Sequence, residues 1–338
     1  MTKTRQEQAE RFIASTDWSG AARTPLAGDA SNRRYDRVRK DGLPPAVLMD
    51  AAPERGEDVR PFTAIARHLS DIGLSAPRIY AQDATHGFLL IEDLGDDLLA
   101  RVVKRRPELE AQLYQAAIDA LIVAQNAPPP PLAPYDADAM AVTAMRLPDW
   151  YLPHATGQSV PDALASEYNA LVRDMLDRLM TGKSVMVQRD YHAENLLWLP
   201  DRDGAARVGL LDFQDAMLGH PAYDLASLLK DARRDVATDV QQEMLAYYIA
   251  QTGADAEAFT AAYAACSAQR NLRIIGGFAR LCVRDGKPNY PDMMPRVWEN
   301  LMGDLKHPEI AELRDFIETH APAPKAEIIA RIKAAAHG

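Results

Sequence analysis

Apolar residues recur at helical spacing in PFTAIARHLSDIG, where Phe62, Ile65, Ala66 and Leu69 share one face and Gly73 marks a stop. Nearer the start, TRQEQAERFIAS carries helix formers with a small apolar face. Between these two segments the spacing changes. TPLAGDASNRRYDRVRKDGLPPAVLMDAA has strand-like pieces broken by the turn-rich GDASN and KDGLPP, ahead of the apolar AVLM. PRIYAQD and GFLLIEDLG predict two more strands. Residues 1–94 are therefore expected to form a small antiparallel sheet lobe with one packed helix. Past Gly95 the pattern turns mostly helical. PELEAQLYQAAIDALIVAQ reads as a long amphipathic helix stopped by PPPPLAP, a stiff inter-helix connection. Residues 160–181 predict another helix, KSVMV a short strand, and further helices fill most of 222–336. The fold class is α+β, with a sheet lobe over 1–94, a larger, mainly helical lobe over 95–338, and a ligand cleft expected between them.

Composition narrows the function classes. A chain of 338 residues suits about two domains at ~100–200 residues each. With 47% hydrophobic and 25% charged residues it is an ordinary globular sequence. A formal net charge of −10 sets up a field that repels nucleic acid and anionic membrane. Arg33, Arg34, Arg37, Arg39 and Lys40 form a local basic cluster against that background. MTKTRQEQAERF has no apolar core of a secretory signal, and no apolar run approaches the ~20 residues that span a bilayer. Cys266 and Cys282 fall in one predicted helical region, too far apart along its axis to bridge. The expectation is a cytoplasmic protein acting on a small molecule, with no nucleic-acid, membrane or obligate protein partner.

The chemistry concentrates in residues 187–224. Asp190 and Asn195 lie five apart between KSVMV and the apolar NLLWL, and Asp212 ends the strand-like VGLLD after a polar turn, DRDGAA. Hard oxygen ligands of this kind suit Mg²⁺. Phosphoryl transfer needs such a set: a base for the hydroxyl proton and ligands that hold metal against nucleotide phosphates. The kinase pattern H-R-D-x-x-x-x-N with a later D-F-G stands here as QRDYHAEN and LDFQD. The chain has no G-x-x-x-x-G-K-[ST], which excludes a P-loop enzyme. His192 and Glu194 form H-x-E but lack the P-C-x-x-C of a zinc deaminase.

Together with GDASNRRYDRV, VLMDAAPE, GFLLIEDLG and GLLDFQDAMLGHPAYDLASLLKDA, these segments resemble the aminoglycoside phosphotransferase and choline kinase family, and within it the amino-sugar kinases. The likeness covers roughly the first 105 residues and residues 183–235. It implies a two-lobed protein-kinase-like fold and use of ATP and Mg²⁺. The implied reaction phosphorylates the anomeric hydroxyl of N-acetylmuramate or N-acetylglucosamine for cell-wall sugar recycling. Alternatives are another small hydroxylic acceptor such as an aminoglycoside, or a non-catalytic nucleotide-binding module. By the same resemblance Asp190 is the base, Asn195 and Asp212 hold the metal, and Leu90 to Leu94 form the hinge beside adenine, with Glu92 and Leu94 in contact. Asp224 matches an aspartate that braces the catalytic loop or caps a helix. His192, Glu194 and Asp215 either line the acceptor pocket or are plain loop residues.

The pattern also has departures. Gln188 replaces the usual His two residues before the base, and Met49 stands where a phosphate-binding lysine belongs. The helix over 61–72 has no inward acid to pair with a lysine. Arg33 and Arg34, beside Ser31 and Asn32, are candidates for the missing charge, the other reading being exposed strand arginines. Lys230 and Arg233 read as a partly solvated helix face.

Overall fold

Helix α1 (Lys3–Ala14) directs Ala9, Phe12 and Ile13 into a cluster with Val38, Ala46, Leu48, Phe88 and Leu90. Those partners come from alternate positions of adjacent strands, as a pleated sheet with one face against a helix requires. In the computed structural model, which describes residues 3–26 and 32–336, the sheet comprises β1 (Ala22–Pro25), β2 (Arg34–Arg39), β3 (Ala46–Asp50), β4 (Ile79–Asp83) and β5 (Phe88–Glu92). Its order is β1-β2-β3-β5-β4, antiparallel throughout. All five residues of the central β3 are buried, Asp50 among them. Arg5 of α1 answers that buried acid: its Nε donates to Asp50 Oδ1 at 2.8 Å, and its guanidinium lies 3.9 Å over the Phe88 ring. The amphipathic segment forms α2 (Val59–Asp71), burying Phe62, Ile65, Ala66 and Leu69 as the spacing predicts.

The remaining elements follow as α3 (Leu99–Arg105), α4 (Glu110–Asn126), α5 (Ala137–Ala144), α6 (Leu152–Thr156), α7 (Asp162–Leu179) and β6 (Val185–Val187). After them come the hairpin of β7 (Leu196–Trp198) and β8 (Val208–Leu210), then β9 (Met217–Gly219) and α8 (Ala222–Leu229). The chain closes with α9 (Thr238–Thr252), α10 (Ala256–Val283), α11 (Met294–Asp304), α12 (Ala311–His320) and α13 (Ala326–Ala335).

Two compact units emerge. The first joins residues 1–109 to 194–216. The 194–216 hairpin is fastened there by Trp198 N–H to Asp97 O at 2.8 Å, Leu210 N–H to Ser75 O at 2.9 Å, and Phe213 stacked on Phe62 at 4.9 Å. The second unit joins 110–193 to 217–338. It is built around α10, on which Cys266 and Cys282 both lie buried and unbridged. Among the described residues, no helix is long and apolar enough to cross a membrane.

Small residues let α10 be approached closely. A Cβ at Gly276 would lie 2.1 Å from both the carbonyl carbon and oxygen of Arg146. Gly276→Ala gains up to about 1 kcal/mol of helix propensity. Even so, it is expected to destabilise the protein by about 3 kcal/mol, because backbone must move. A lowered urea midpoint at unchanged slope is the expected readout.

Candidate active site

In the first unit, the β7–β8 hairpin brings two of the predicted metal ligands together. Leu211 N–H donates to Asn195 O at 3.0 Å, fastening the two strand ends. The Asn195 amide nitrogen then stands 3.5 Å from Asp212 Oδ2, while Gln214 Nε2 donates to Asp212 Oδ1 at 2.8 Å. Asp212 adopts φ 57°, in the left-handed region, so the chain swings its carboxylate off the strand direction. Such a conformation costs about 1–3 kcal/mol and persists where the surroundings enforce it. One carboxylate and one amide within reach of each other fit Mg²⁺, which takes few protein ligands and completes its shell with water and phosphate.

Among the described residues, neither N–H nor C=O of Leu94 makes a backbone hydrogen bond. The Leu94 side chain fills space left by Gly209, where a Cβ would meet it at 3.1 Å. Glu92 is held by its N–H to Arg78 O at 2.8 Å and its carboxylate to Arg202 at 2.7 Å. Its side chain is thus committed to protein. Arg33 is largely covered and ion-paired to Glu57 at 2.8 Å, Arg34 is exposed at the start of β2, and Asn32 Nδ2 reaches Arg55 O at 3.4 Å. Ser31 lies outside the described residues. Met49 is buried, 1% exposed. Glu194 and Asp215 are both exposed here.

In the second unit, Asp190 follows the end of β6, half-buried on a loop braced from several sides. Asp224, fully buried in the first turn of α8, accepts from Gln188 N–H at 2.6 Å and Arg189 N–H at 2.8 Å. It therefore braces the loop; the helix-cap alternative falls, because its oxygens serve N–H groups 35 and 36 residues away rather than its own helix. Tyr191 OH donates to Ala117 O of α4 at 2.7 Å. Arg189 sits at φ 72°, a second left-handed residue, directly before Asp190. Burial works to raise the Asp190 carboxyl, but the charges of Arg273, Arg270 and Arg189 hold it below the usual carboxylate range.

His192 is 2% exposed, and its Nε2 lies 2.9 Å from Arg233 NH1. An arginine only donates, so Nε2 is the acceptor and the ring is neutral. Burial, then Arg233, pushes it down to about 4. The structure corrects the helix-face reading of Lys230 and Arg233: α8 ends at Leu229, and Arg233 turns back onto the catalytic loop.

Residues 22–264 match the model of the phosphotransferase enzyme family. This chain belongs to that family. It is 38% identical to the N-acetylmuramate/N-acetylglucosamine kinase of Caulobacter vibrioides, over 95% of this chain and 99% of that one. With the enzyme of the same name from Pseudomonas putida it shares 34% identity over 92% of this chain and 93% of the relative. Among solved structures, a choline/ethanolamine kinase family protein from Mesorhizobium loti aligns with a TM-score of 0.58 at 14% identity, over 99% and 100% of the two chains. The ADP-bound aminoglycoside phosphotransferase APH(2'')-Ib aligns at 0.60 and 16%, over 93% and 99%. The fold expected for the phosphotransferase family is thus the fold found.

As a member of this phosphotransferase family, the chain keeps Asp190, Asn195 and Asp212 at the motif positions. It also carries supports that the motif does not encode. Gln214, Tyr191 and Arg233 were not legible as site residues, since each acts through a partner chosen by packing. The second left-handed position, at Arg189, had no sequence signal either.

Proposed function

We propose that this phosphotransferase moves the γ-phosphoryl group of MgATP to the anomeric hydroxyl of N-acetylmuramate or N-acetylglucosamine, in cytoplasmic recycling of cell-wall sugars. The observation that carries the reading is the strained and braced loop around an ionised Asp190. The kinase names of relatives 34–38% identical along nearly the whole chain add to it. A nucleotide-binding module has no use for a base held at such cost.

In this reading Asp190 accepts the hydrogen bond of the acceptor hydroxyl and orients it. Its low basicity suits late proton transfer, because the loose transition state demands little of a base. Asn195 and Asp212 hold Mg²⁺, with Gln214 fixing the orientation of the Asp212 carboxylate. When bound, the ion neutralises charge on the phosphates. Leu94 offers its N–H and C=O to adenine, with Glu92 keeping the hinge in place through Arg202. Arg33, Arg34 or both stand in for the absent lysine at 49, with Ser31 and Asn32 offering hydrogen-bond donors beside them. Glu194 and Asp215, both exposed, are the candidates to meet sugar hydroxyls; His192 supports the loop through Arg233. Most of the rate comes from alignment and charge neutralisation.

A polycationic aminoglycoside fits this site poorly, because the charges facing Asp190 are arginines. Coupled ADP release across amino sugars and aminoglycosides tests the assignment. Turnover is expected with N-acetylmuramate or N-acetylglucosamine and not with the antibiotics. Turnover confined to an aminoglycoside would overturn it.

A further inference from the structure

Helix α10 sets Arg273, Gly277 and Arg280 on one face at helical spacing. Gly277 keeps that face open, and a Cβ there would stand 3.9 Å from the Arg146 guanidinium. The Arg146 backbone is itself pressed onto Gly276, so paired glycines in mid-helix admit a third arginine between two others in register. None of the three forms an ion pair among the described residues. Arg273 is 8% exposed, and Nε of both Arg273 and Arg280 is buried without an acceptor. Burial, then the charges of Arg273, Arg280 and Arg189, depresses Arg146 to about 10. Covered cations that repel one another are costly unless an anion joins them. In a chain of net charge −10, acids to neutralise them were plentiful elsewhere.

We infer that Arg146, Arg273 and Arg280 form a carboxylate-binding subsite that reads the lactyl group of N-acetylmuramate. The inference rests on the sugar reading above and names the residues that would separate its two acceptors. N-acetylmuramate carries a lactyl ether ending in a carboxylate; N-acetylglucosamine has a hydroxyl there. Guanidinium forks match a carboxylate through paired N–H donors. The leading charge on Asp190 is that of Arg273, ahead of Arg270 and Arg189. Arg273 thus connects the reacting carboxylate to the subsite, while Arg146 and Arg280 lie a step beyond it.

Two measurements test this. With wild-type enzyme, the methyl ester of N-acetylmuramate is expected to lose about 10- to 100-fold in kcat/KM against the free acid, the worth of charge-assisted hydrogen bonds. In Arg146→Met and Arg280→Met, the kcat/KM ratio of N-acetylmuramate over N-acetylglucosamine is expected to fall by a similar factor, with Arg146→Lys recovering part of it. The unliganded melting temperature should hold or rise, since a buried repulsion is removed; an ion-paired structural arginine would lower it. An ester as good as the acid overturns the inference, as does an unchanged ratio in both Met variants. So do equal losses for both sugars with a raised KM for MgATP, which would assign the cluster to nucleotide phosphate. Each of these leaves the sugar reading standing. Wild-type turnover of neither sugar would remove the sugar reading and the inference together.

Discussion

Asp190→Asn is expected to cut turnover by about 10²- to 10⁴-fold, the usual worth of a positioned proton acceptor. The amide keeps the shape of the carboxylate and still orients a hydroxyl, but it takes no proton. The surrounding loop should be undisturbed, because it is held by Asp224 accepting from residues 188 and 189 and by Tyr191 on Ala117. MgATP should therefore raise the melting temperature of the variant and of wild type by the same amount. Single-turnover kinetics with saturating nucleotide would isolate the chemical step. Normal turnover would take Asp190 out of the mechanism.

Asp224→Ala is expected to be the most damaging substitution for stability. It strands the N–H groups of Gln188 and Arg189 beside a fully buried position, each at about 1–3 kcal/mol, for a total of about 2–6 kcal/mol. Turnover should fall as well, since the freed Arg189 loses one restraint on its left-handed backbone. Asp224→Asn keeps an acceptor oxygen and should lose less.

The pH profile of that second variant carries a further signature. Burial outweighs the two N–H donors and pushes the Asp224 carboxyl up to about 7 from 3.8. The folded state thus binds this proton more tightly than the unfolded chain. The stability it adds is complete below about pH 4 and lost as pH rises through 7. His192 and His220 act in the opposite sense. Burial lowers both to about 4 from 6.5, so their contribution is lost as pH falls through that window. Removing the Asp224 carboxyl should leave the histidines less opposed, so that stability climbs more steeply between pH 4 and 7 than in wild type. Urea denaturation at several pH values measures that slope, and parallel profiles would sink the assignment.

Much of this was readable before any coordinates. The strands and helices follow the period of apolar positions, as in α2, where Phe62, Ile65, Ala66 and Leu69 are all buried. Asn195 and Asp212 could be paired from the sequence because a short hairpin joins them, and a hairpin places its ends by geometry alone. Asp190 was singled out as the candidate base by its spacing from Asn195. The two cysteines were correctly read as sharing a helix without bridging.

Local periodicity and short spacings thus determined the secondary structure, the family and the candidate carboxylates, because those signals reside within a few residues of one another. Charge partners obey no such limit. Packing decided that Arg33 meets Glu57, that Asp224 braces a loop instead of its own helix, and that Arg233 supports His192. It also gathered Arg146 with the arginines of α10, through two glycines whose meaning depends on what lies against them. A guanidinium reads the same in any sequence; burial and neighbours settle whether it is solvated, paired or held ready for an anion.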